Sequence, residues 1–99
     1  MESTFLSTDL LRSTHEYVKL VEATLMSADV RQRGESTDRD LFRGMLVIVF
    51  TLYPDWSHEI AEDMSYVKMS VRRWREADSC PDPVLWPQIF NWLKEKTSC

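Results

Sequence analysis

Along the first third of the chain, Leu11, Thr14, Val18, Val21, Leu25 and Ala28 recur at alternating steps of three and four. Those steps place side chains on one stripe of a helix. Leu10, Tyr17 and Met26 flank the stripe. Ser7 or Thr8 suits a cap, Asp9 suits the first turn, and Arg31, Arg33 and Gly34 suit the end. The pattern predicts an amphipathic helix over about 8–31, whose stripe packs either on the rest of the chain or on a second copy. Residues 32–40 are wholly polar and read as a connector, with Thr37 and Asp40 at capping-box spacing. Residues 41–53 are rich in apolar side chains, and 46–50 are apolar on every side. The run Val47-Ile48-Val49 also suits a buried strand. No partner strand occurs elsewhere, and an isolated strand leaves its backbone unsatisfied. A buried helix stopped by Pro54 is therefore expected. Helical spacing resumes over 57–64 and 67–77 and in a last helix ending near Lys96, and the link 79–83 is extended or turned. The fold class expected is all-α, with about five helices.

Ninety-nine residues suffice for one modest core. Two glycines and four prolines argue against a turn-rich β protein. The net charge of −4 argues against nucleic acid as a partner, but it is unevenly spread. Residues 1–40 hold eight acidic and five basic side chains, whereas Lys68, Arg72, Arg73 and Arg75 fall close together. No apolar run approaches the roughly 20 residues of a membrane helix. Met1, Glu2, Ser3 and Thr4 lack the look of a signal peptide, so a cytoplasmic protein is expected. Cys80 and Cys99 then read as reduced thiols. His15 and His58 have no partners at metal-ligand spacing and read as surface or partly buried residues. There is no phosphate loop and no nucleophile–base set, so neither catalysis nor a cofactor is expected.

The segment 57–74 carries the most information. With Ser57 as the first position of a two-helix unit, Ile60 and Met64 point inward from the first helix. Ala61 sits where the helices cross, and Val71 and Trp74 point inward from the second. Lys68, Met69, Arg72, Arg73 and Glu76 are left outward. This arrangement resembles the Cro and lambda-repressor-like helix-turn-helix family. Ala61, Val71 and Trp74 match its small, β-branched and large positions. Pro81, Pro83, Ile89 and Leu93 continue the match, which spans about 41–96. The chain departs from the family at Ser65, where glycine is usual, and at Tyr66, Val67 and Ala77. Pro87 falls inside the expected last helix, which would then start there with 82–86 as a preceding turn.

The resemblance implies a lambda-repressor-like domain over 35–99, with an added amphipathic helix in 1–34 for packing or dimerisation. It implies sequence-specific binding of double-stranded DNA, with the second helix in the major groove. Lys68, Met69, Arg72 and Arg73 would reach base edges. Ser57 would offer its hydroxyl and backbone amides to a phosphate, and Arg75 would touch the backbone. Glu59, Glu62, Asp63 and Glu76 oppose that attraction. The four tryptophans read as core residues and not as stacking platforms. Such modules work as homodimers, and either the N-terminal stripe or the last helix with Phe90 and Trp92 would supply the interface. The expected role is a small transcriptional repressor of a phage, plasmid, mobile-element or toxin–antitoxin operon. Control would come through protein level or a protein partner on the N-terminal helix. The alternative from another class is a helix-turn-helix-derived interaction module, an anti-activator or inhibitor without DNA binding. A winged helix fits the proline pair but lacks strands for a wing.

Overall fold

A computed structural model describes residues 2–26, 36–76 and 78–98. These form α1 (Glu2–Met26), α2 (Ser36–Leu52), α3 (Trp56–Asp63), α4 (Lys68–Arg75) and α5 (Trp86–Thr97), with a 3-10 turn at Pro83–Leu85. The described residues contain no strand, so the protein is all-α. The expected end of the first helix at Arg31 to Gly34, Ala77 and Cys99 lie outside the described residues.

Two boundaries differ from the sequence pattern. First, α1 begins at Glu2, ahead of the capping candidates Ser7 and Thr8. No glycine or proline precedes them, so nothing interrupts a helix already nucleated by its packed turns. Second, α2 begins at Ser36, which turns half of the expected connector into helix and places Thr37 inside it. Asp38 lies in the first turn, where the helix dipole favours a carboxylate, and Arg43 pairs with Asp40 one turn away. Arg39 and Asp40 of this turn are exposed, while Asp38 is half-buried.

The run 46–50 is helical as expected, but α2 is not buried all round. It buries Phe42, Met45, Leu46, Val49 and Phe50, while Leu41, Ile48 and Leu52 stay 37–47% exposed. Helical pitch sends the two groups to different sides.

Val18, Val21 and Leu25 of α1 share one buried cluster with Phe42, Phe50, Trp86, Ile89, Phe90 and Leu93. Each such side chain contributes about 1.5–3 kcal/mol on burial. Phe42 stacks on Trp86 with centroids 4.7 Å apart and meets the edge of Phe90 at 5.1 Å. All four tryptophans lie in this core. Of the two readings of the α1 stripe, packing on the chain's own helices accounts for Thr14, Val18, Val21 and Leu25, which are buried where α1 meets α2 and α5; Ala28 lies outside the described residues, and Phe90 and Trp92 of α5 are buried as well.

Polar contacts fix α1 against α5. His15 Nδ1 and the Thr97 hydroxyl are 2.8 Å apart, and Lys94 pairs with Glu22 at 2.9 Å. The proline link is pinned from inside, since Trp86 Nε1 donates to the Pro81 carbonyl at 3.1 Å. Asp82 accepts from the Val84 amide, and Pro87 falls in the first turn of α5, one residue after the helix start.

Candidate functional site

The unit of interest is α3, a four-residue turn and α4. Ile60 and Ala61 of α3 and Val71 and Trp74 of α4 are buried, and the small Ala61 lets the helices approach. The turn closes α3 through two backbone bonds. The Ser65 amide donates to Glu62 O at 3.3 Å and the Tyr66 amide to Ala61 O at 2.9 Å. That pattern requires a left-handed residue after the helix end, and Ser65 has φ 58°. It is the only non-glycine with positive φ among the described residues. Tyr66 then lays its ring edge-on to Trp74 at 5.5 Å, which fixes the tilt of α4. Val67, where a serine or threonine is usual, gives α4 no side-chain cap.

The far side of α3 is tied to α5. Trp92 Nε1 donates to Asp63 at 2.8 Å. Lys96 bonds Glu59 at 2.6 Å and lies 5.5 Å from the centroid of Trp56 and 5.6 Å from that of Trp92. Two of the four carboxylates that would repel phosphate are thus held by partners on α5. Glu76 pairs with Arg72 at 3.2 Å, but the two side chains are 44% and 64% exposed. Such a solvated pair is worth little and leaves Arg72 available.

Between α3 and α4 lies a cleft of about 230 Å³. Five of the six residues singled out from sequence line it: Ser57, Lys68, Met69, Arg72 and Arg75. Arg73 does not, because it sits about 140° round the helix from Lys68. Lys68, Met69, Arg72 and Arg73 are exposed, and Arg75 is half-buried. Lys68, Arg73 and Arg75 have no carboxylate partner among the described residues, in contrast to Arg43, Lys94 and Lys96.

Ser57 departs from expectation. It is 5% exposed, and its hydroxyl donates to Pro54 O at 2.9 Å. The amides beside it are also committed: Trp56 donates to Tyr53 O, and His58 and Glu59 to Asp55 O. The tight passage from α2 through Pro54 turns these donors inward, so the start of α3 offers no hydroxyl to a phosphate. His58, read from sequence as a surface or partly buried residue, is exposed and also lines the cleft. The signal was present in the spacing, since residues 57, 58 and 61 share the α3 face that meets 68, 72 and 75 of α4.

No family model, no curated protein and no solved structure matches this chain.

Proposed function

We propose that the protein is a small sequence-specific double-stranded DNA-binding regulator that represses transcription by occupying its site. One observation carries this reading: α4 buries Val71 and Trp74 and leaves Lys68, Met69, Arg72 and Arg73 uncovered. A helix with one free face suits the major groove, about 12 Å wide. Arg72 and Arg73 would each bind guanine O6 and N7 through two hydrogen bonds, Met69 would meet a thymine methyl, and Lys68 would reach a neighbouring base. Arg75 would hold the phosphate backbone in place of Ser57. The working unit is a homodimer on inverted half-sites, in the cytoplasm, serving a phage, plasmid, mobile-element or toxin–antitoxin operon. Two copies supply the affinity that one short helix lacks.

Selection of bound sequences from random duplexes, followed by gel shifts at several salt concentrations, tests this. The expected result is an inverted repeat, with the logarithm of affinity falling by about 0.9 per neutralised phosphate for each unit of log salt. No enriched sequence, together with salt-insensitive binding, rejects it. That outcome favours the interaction-module reading, for which Val67 and Met69 are the relevant feature. They are 68% and 58% exposed at the start of α4, an apolar tip that a protein partner would cover.

A further inference from the structure

The cleft between α3 and α4 has a chemistry that base recognition does not use up. Lys68, Arg72 and Arg75 stand at i, i+4 and i+7, so they form one cationic stripe facing α3. His58 faces them from α3, and in either neutral tautomer its ring supplies an N–H donor. Between these polar walls the floor is apolar: Ala61, Met69 and Val71. The chain as a whole is net acidic, yet Lys68 and Arg75 have no carboxylate partner among the described residues. Arg75 is half-buried, so part of its charge is withheld from water with no carboxylate beside it, and a bound anion would offset that.

We propose that this cleft binds a small phosphomonoester with an apolar end. The three terminal oxygens of a phosphate dianion match three cationic side chains, whereas a carboxylate offers two. The apolar end would lie on Ala61, Met69 and Val71. A volume of about 230 Å³, below the roughly 300–1,000 Å³ of drug-sized sites, suits a phosphate and one ring-sized group. Lys68, Met69, Arg72 and Arg75 would be shared with the DNA face. On the DNA-binding reading given above, ligand and duplex therefore exclude one another. The recognition unit would then carry its own effector site.

Titration of the full-length, DNA-free protein with phenyl phosphate, followed by ¹H–¹⁵N NMR, tests the site directly. Amides of His58, Ala61 and residues 68–75 are expected to shift saturably. Phenyl phosphate should bind more tightly than inorganic phosphate because of the apolar floor. Lys68→Gln and Arg75→Gln should each weaken binding by about tenfold, a loss typical of one charge-assisted contact. Lys19→Gln, which removes the same charge from the exposed side of α1, should change it by less than about twofold. No saturation by about 10 mM overturns the proposal, as does an equal loss in Lys19→Gln. The exclusion is read separately, from the fall in affinity for a selected duplex as phenyl phosphate is added. Unchanged duplex affinity with the cleft occupied overturns the exclusion. Saturable shifts in a protein that binds no duplex support the site and reject the DNA reading.

Discussion

The most informative single residue is Ser65. Its left-handed backbone lets the two amides that end α3 reach their carbonyls, and without that turn α4 would point elsewhere. An L-residue with a side chain is strained there by about 1–2 kcal/mol, and glycine is not. Ser65→Gly should therefore raise stability by about 0.5–1 kcal/mol in urea denaturation, after allowing for the extra freedom of glycine in the unfolded chain. A loss of stability would mean that the serine side chain contributes something the backbone geometry does not reveal. Trp74 is the complementary case. Its burial against Tyr66 was legible from spacing, and Trp74→Ala should cost about 3–5 kcal/mol by the same assay. Cys80 was not legible in this way. Burial raises its thiol pKa, with Asp40 adding to the effect and the Arg39 and Arg43 charges acting against it. The thiolate is the reactive form, so a higher pKa leaves less of it at any pH below that value. In a Cys99→Ser background at pH 8, alkylation of Cys80 should be slower in the folded protein than in urea, and an equal or faster rate would contradict the burial seen here.

At the scale of elements, periodicity located helices well and their partners poorly. The amphipathic α4 was legible because one apolar face alternates with one basic face, and α5 because Pro87 sets its start. In α2 the apolar run 46–50 suggested burial on every side, yet Ile48 is 47% exposed. A run of apolar residues records what can be buried, and only the neighbouring helices decide which of them are. The same limit applies to the candidate site. Spacing picked out the cations of α4 and holds the signal that His58 shares their cleft, but it gives no sign that Ser57 turns inward. The basic face of α4 makes its own prediction. Replacing Arg72 and Arg73 with alanine should abolish specific duplex binding while leaving circular dichroism and melting nearly unchanged, since both side chains are exposed and the Arg72–Glu76 pair is solvated. Retained specific affinity would remove both residues from the recognition surface.

At the scale of the molecule, the division into 1–34 and 35–99 suggested by the sequence meets a core that spans it. The α1 residues Val18, Val21 and Leu25 are as buried as the aromatic residues of α2 and α5 that they touch through one cluster. The seam also carries the His15–Thr97 contact and the Lys94–Glu22 pair. Composition could not show this, because an amphipathic stripe looks alike whether its own chain or a second copy covers it. The consequence is thermodynamic. If α1 were an appendage, Leu25→Ala would loosen only the N-terminal helix, and α2–α5 would melt as before. With a shared core, the truncation leaves a cavity in the single cooperative unit. Leu25→Ala should then lower global stability by about 2–5 kcal/mol. Helical circular dichroism and tryptophan fluorescence should fall together, because the tryptophans lie in α3, α4 and α5 while much of the helix signal comes from α1. Separate transitions, with fluorescence unmoved, would show α1 to be a detachable arm and would return its stripe to the list of surfaces on which two copies could pair.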